Sequence, residues 1–77
     1  MTVFDLKKGE IAIIERMNIE GGARSRLSAL GIKEGEKIEV LSFSLFRSSV
    51  LIMAGAVRVG IRKSLASKIF VKSEENE

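Results

Sequence analysis

The side chains able to do chemistry in this chain are few in kind. Three carboxylates, Glu34, Glu36 and Glu39, cluster in sequence, and the cations Arg24, Arg26, Arg58, Arg62 and Lys63 punctuate two short segments. Neighbouring carboxylates can receive a hard or borderline cation when their oxygens converge. Here the polar and apolar residues alternate from Lys37 to Val40 as in a strand, which sends Glu36 and Glu39 to opposite faces. Tight metal binding is therefore not expected, and only a weak encounter with a divalent ion stays open. The chain has no cysteine and no histidine. That excludes a thiolate nucleophile, a serine–histidine pair, and the nitrogen and sulfur ligands that hold zinc or redox iron. No glycine-rich loop is followed by lysine and serine or threonine, so nucleotide binding by the chain itself is not expected. General acid–base work would rest on unpaired Glu or Lys residues, and no enzyme chemistry and no cofactor are expected.

These charged groups need elements to position them. The organising stretch runs from Gly21 to Gly35 and contains four of the seven glycines. Ala23, Leu27 and Leu30 fall at i, i+4 and i+7, one face of a short helix over about residues 21–30, with Arg24 and Ser28 opposite. Gly31 stands where a helix ends in a left-handed residue, and Ile32 can reach back to Leu27 in a Schellman-type stop. Leu27, Leu30 and Ile32 read as core, and Asn18 or Glu20 as possible caps of the helix start. So short a helix does not hold alone in water, and its apolar face must dock on a sheet.

Strands are expected at 10–17, 37–43, 50–53, 57–62 and 69–71, with a helical turn over about 64–67 capped by Ser64. The alternation slips at Ile13 and Ile14, which means either two partly covered faces or a bulge. The segment 50–53 reads as buried on both sides, and Gly60 as a close approach or sharp bend. Residues 43–49 place Phe43, Leu45 and Phe46 among serines and Arg47. Two readings stay open: a hairpin loop whose apolar residues fold back on the barrel mouth, or an exposed apolar tip that binds a partner. Five short strands with these two helical pieces give a mainly β, five-stranded SH3-like barrel.

With 77 residues, one domain is expected, over 1–72, followed by a disordered acidic tail over 73–77. Thirteen Lys and Arg face ten Asp and Glu, and three of those acidic residues lie in the last four positions. The first 73 residues thus carry 13 positive against 7 negative charges, about +6. A basic body favours acidic partners of several kinds, nucleic acid among them. No signal-peptide pattern and no apolar run of membrane-spanning length is present, and a cytosolic protein is expected.

The order of features resembles the FeoA family, the small cytosolic ferrous iron transport protein A, over about residues 3–71. The most specific match is Arg26-Leu27-Ser28-Ala29-Leu30-Gly31-Ile32-Lys33-Glu34-Gly35, supported by Leu6-Lys7-Lys8-Gly9-Glu10, by Val57-Arg58-Val59-Gly60-Ile61-Arg62 and by Leu65-Ala66. Leu27, Leu30, Gly31, Ile32 and Gly35 form its structural signature. The chain departs from the family pattern in lacking proline. The resemblance implies an SH3-like barrel also found as the C-terminal domain of diphtheria-toxin-repressor-type iron regulators, here standing alone. It implies a non-enzymatic accessory protein that docks on the cytosolic GTPase-like part of the FeoB permease, with a family-level link to the ferrous ion. The expected contact residues are Arg24, Arg26, Phe43, Leu45, Phe46 and Arg47, and an arginine reaching the partner's nucleotide would make the protein a GTPase activator. The alternative is a small basic barrel that binds nucleic acid. It is disfavoured because stacking aromatics are not interleaved with the basic residues.

Overall fold

Alternation of polar and apolar side chains decides the sheet. The computed structural model, which describes residues 1–74, forms strands β1 (Ile11–Met17), β2 (Lys37–Phe43), β3 (Ser49–Ala54), β4 (Val57–Arg62) and β5 (Ile69–Ser73). All pairings are antiparallel, in the order β4-β3-β2-β1-β5. Helix α1 (Gly21–Ala29) follows β1, and the one-turn α2 (Lys63–Ala66) connects β4 to β5. This is the mainly β, SH3-like architecture expected. Its core is aliphatic: Ala12 and Ile14 of β1, Ile38 and Val40 of β2, Val50 and Ile52 of β3, Val59 and Ile61 of β4, and Ile69 and Val71 of β5 are buried. No polar or charged residue is buried among those described.

Two irregularities bend this sheet. The pairing of β1 with β5 shifts between Ile14 and Arg16, and that of β2 with β3 shifts between Val40 and Ser42. An extra residue on one strand locally sharpens the twist, which a small barrel needs. Both readings of the Ile13 and Ile14 slip thus hold in part, since Ile13 is half-buried on the outer face and the bulge follows it. Strand β3 differs from expectation. It buries Val50, Ile52 and Ala54 but leaves Leu51 and Met53 half-exposed, so one face is covered.

The first residues also differ from the plain lead-in read in the sequence. Val71 donates its N–H to the Met1 carbonyl at 2.8 Å, and Thr2 bridges Phe70. A 3₁₀ turn at Val3–Asp5 then drops Val3 and Leu6 into the core. The turn is closed by the Thr2 N–H donating to the Asp5 carboxylate at 2.8 Å. This segment lies on the outer side of β5, and an otherwise bare strand edge is thereby paired.

Smaller expectations are corrected as well. Glu20 occupies the position before α1 but its side chain makes no capping bond, while the Asn18 N–H donates to the Lys68 carbonyl at 2.9 Å. Arg62, not Ser64, precedes α2, and the Ser67 hydroxyl closes that turn on the Lys63 carbonyl at 2.8 Å. Gly60 meets no close backbone: a β-carbon there would find nothing within 4 Å. The acidic tail was expected too early. Ser73 belongs to β5 and donates to Glu10 at 2.7 Å, and the Glu74 N–H donates to the Ile11 carbonyl at 3.0 Å. Residues 75–77 lie outside the described residues.

The helix stop forms as its residues dictate. The Ile32 N–H donates to the Leu27 carbonyl at 2.9 Å and the Gly31 N–H to the Ser28 carbonyl at 3.0 Å, with Gly31 at φ +92°. These are the two bonds of a Schellman motif. Leu27 and Ile32 are buried beneath it, but Leu30 caps the helix and is 40% exposed, so its expected place in the core is overturned. A nine-residue helix turns by about 100° per residue, and the C-cap rotates Leu30 off the face that carries Leu27. Leu27→Ala should therefore cost about 2–4 kcal/mol in chemical denaturation. Leu30→Ala should stay within about 0.5 kcal/mol, and Gly31→Ala should cost about 1–2 kcal/mol by forcing a β-carbon into the left-handed region.

Candidate functional site

Helix α1 is too short to persist without tertiary support, and Leu27 and half-buried Ala23 are its apolar anchors. The remaining support comes from one cation. Arg24, expected on the solvated side, folds down over the start of the helix. Its Nη1 donates to the carbonyls of Met17 at 3.0 Å and Ile19 at 3.2 Å, and its Nη2 reaches both carboxylate oxygens of Glu34 at 2.7 Å. One guanidinium thus joins the end of β1, the segment before α1, the helix, and the turn that precedes β2. The planar fork of arginine suits such shared donation, and a lysine has no equivalent geometry. The Arg24 guanidinium in turn holds the Glu34 carboxyl below its ordinary value.

This clamp redistributes the roles expected from the sequence. Arg24 and Arg26 were both expected as partner contacts, but Arg24 holds the helix to backbone carbonyls, whereas Arg26 stands exposed on the helix surface. Glu34, read as a candidate metal group, is engaged with Arg24. Glu36 is exposed and Glu39 lies half-buried on β2 between Ile11 and Met53, so the three carboxylates do not converge. Among the described residues, no three potential ligands gather as a metal cage. Beside the clamp is an open concavity of about 490 Å³ lined by Met17, Asn18, Ile19, Glu20, Gly21 and Arg24. It is wide and shallow enough to receive a partner's side chain rather than to enclose a small molecule.

The second expected surface divides in two. Phe43 folds back as in the first reading: it is half-buried, its ring centre lies 5.4 Å from that of Phe4, and the Arg47 guanidinium sits 3.9 Å above it. The same guanidinium donates to the Phe4 carbonyl at 2.9 Å. Leu45 and Phe46 follow the second reading, standing 80% and 90% exposed in a 3₁₀ turn at Leu45–Arg47. Phe4 is the packing neighbour of this loop that sequence reasoning missed. It lies 39 positions before Phe43, and no local pattern pairs them.

Comparison with known proteins locates this arrangement. The FeoA domain family model matches residues 1–73. Among solved structures, the chain is 26% identical to iron(II) transport protein A from Clostridium thermocellum, with a TM-score of 0.88, covering 95% of this chain and 45% of that one. The chain thus spans less than half of that relative's length. It is also 26% identical to a FeoA protein from Chlorobium tepidum, with a TM-score of 0.92, covering all of this chain and 73% of that one. A manganese-dependent transcriptional repressor in complex with manganese shares the fold, at 17% identity and a TM-score of 0.82 over 96% of this chain and 36% of the repressor. No curated protein shows a significant match.

The clamp carries a pH signature. Glu34 has its carboxyl lowered in the folded chain by the Arg24 hydrogen bonds, so its contribution is complete above the ordinary value of 4.5 and is lost as pH falls through the lowered folded value. An NMR titration should show the Glu34 carboxyl titrating below the ordinary value of 4.5. In Glu34→Gln, protection of the Asn18 and Gly35 amides, which donate to the Lys68 and Ile14 carbonyls, should fall at neutral pH and lose the wild type's additional drop on acidification.

Proposed function

The chain belongs to the FeoA domain family, and on that premise we propose that it is a non-enzymatic accessory protein of ferrous iron uptake that docks on the cytosolic GTPase-like part of the FeoB permease. The single observation that carries this reading is the family match over residues 1–73. A relative described as an iron(II) transport protein supports it. The chemistry of the surface is compatible with a binding role: the described residues hold no buried titratable group, and their pockets are open concavities.

The docking surface we assign to the GTPase-like part is the outer side of α1 with the neighbouring concavity. Of the two helix arginines, Arg24 already makes four hydrogen bonds within the chain and cannot leave without opening the clamp. Arg26 is exposed and makes no such bonds to the described residues, so it is the arginine able to meet a partner's carboxylate or a nucleotide phosphate. Only the second contact would raise the rate of GTP hydrolysis. The nucleic-acid alternative is weakened by the aromatic rings. Arg47 covers Phe43 and Arg16 lies 4.3 Å over Phe70, which leaves Phe46 as the one ring standing fully in solvent, too little for a stacking platform.

Titration of the chain into the isolated cytosolic domain of the cognate permease, with and without a GTP analogue, should shift amides of residues 17–28. Arg26→Ala should weaken that complex about tenfold, the loss of one charged hydrogen bond. Unchanged affinity and unchanged GTP hydrolysis in this variant would remove α1 from the interface, and the absence of any shift in either nucleotide state would sink docking on the cytosolic part.

A further inference from the structure

Phe46 and Arg47 lie at φ +64° and +54°, two successive residues with side chains in the left-handed region. Such a conformation is costly for each and persists only where the surroundings over-determine it. They do so here. Ser44 accepts the Ser49 N–H on its hydroxyl at 2.8 Å, donates its own N–H to the Ser49 carbonyl at 3.0 Å, and accepts the Arg47 N–H on its carbonyl at 2.8 Å. Arg47 is then pinned over Phe43 and onto the Phe4 carbonyl. The outcome of this strain is that two large apolar side chains, Leu45 and Phe46, are held out in water rather than laid on the core.

The neighbourhood of this tip is cationic. Arg62 pairs with Ser49 at the base of the loop, and the Lys63 N–H donates to the Ser48 carbonyl at 2.9 Å. The Lys63 ammonium and the Arg47 guanidinium lie 5.9 and 5.7 Å from the Phe4 ring centre. The acidic residue at this end, Asp5, is tied to the Thr2 N–H.

We propose that the Leu45–Phe46 tip is an anchor for an anionic lipid surface, inserting its two apolar side chains at the headgroup boundary while the exposed Arg62 and Lys63 face the lipid charges. Apolar residues at an apex ringed by cations are the pattern of interfacial membrane binding. The size of the tip argues against a protein pocket as its main occupant. One aromatic side chain buries about 150–250 Å², so two side chains fall well short of the roughly 800 Å² per partner of a stable protein interface. A bilayer requires no such area of matched shape. This contact goes beyond docking on the permease and is made without it.

The test uses the whole chain and vesicles free of protein. Wild type should sediment with vesicles of phosphatidylcholine and phosphatidylglycerol, should not sediment with phosphatidylcholine alone, and should be released by high salt. Since the chain has no tryptophan, Phe46→Trp gives a clean reporter whose emission should shift to the blue only with the anionic vesicles. Leu45→Ser with Phe46→Ser should lower partitioning at least about tenfold, and Arg62→Gln or Lys63→Gln about fivefold each. The double serine variant should keep its amide spectrum, because both side chains are exposed. Failure of wild type to bind anionic vesicles, or binding that the serine variant retains in full, overturns the proposal. So does loss of binding to the permease's cytosolic domain on mutating the tip, with no vesicle binding by wild type; the tip would then be a protein contact.

Discussion

A helix of nine residues has too few internal hydrogen bonds to offset the entropy of its nucleation, so α1 exists only as far as the rest of the chain holds it. Its supports are unusually few. Leu27 enters the core, the Schellman bonds fasten its end to Ile32, and Arg24 fastens its beginning to Met17, Ile19 and Glu34. The last of these sets the course of the chain between β1 and β2. Without the guanidinium, the Met17 carbonyl at the end of β1 and the Ile19 carbonyl before α1 would lose this donor, and the Glu34 carboxylate would lose its partner. An exposed ion pair contributes little by itself. Its weight here comes from joining four segments at one point, where each bond reduces the entropy cost of the next.

The sheet and the loop at its other end use a different balance. Every strand contributes branched aliphatic side chains to the core, and the first six residues add Val3 and Leu6 while pairing with β5. That rigid base is what permits strain at residues 46 and 47. The Phe4 and Phe43 pair is the platform on which Arg47 rests, so a segment distant in sequence fixes the shape of the loop. Local strain of this kind is tolerated when packing elsewhere supplies the stability.

How much of this was legible in the sequence depended on the range of the interaction. The strand at Lys37–Phe43 and the stop at Gly31 were readable because alternation and a left-handed glycine act over a few residues. Leu30 was misplaced because helical spacing continues on paper past the point where the chain has already turned into its cap. Arg24 and Arg26 could not be told apart, since both sit two residues from each other on a polar run and the carbonyls that choose between them arise from the fold of residues 17–19. Phe4 was invisible for the same reason at greater distance. Ser73 and Glu74 looked like tail because their partners, Glu10 and Ile11, lie at the opposite end of the chain.

The shared fold limits what the barrel itself can explain. A manganese-dependent repressor carries the same arrangement at 17% identity, so the packed interior is compatible with proteins that differ in activity. What distinguishes one such barrel from another must lie in side chains that the interior does not require. In this chain the exposed Arg26 and the Leu45–Phe46 tip are among such side chains, and neither contributes to the core. They also differ in kind. Arg26 is an exposed charge on a helix whose position is fixed by its neighbour Arg24, whereas the tip is apolar and held in a strained turn by the bonds of Ser44 and Arg47. In the proposed reading Arg26 meets a polar partner and the tip meets the headgroup boundary of an anionic lipid surface, and a single barrel of this size has room to present both.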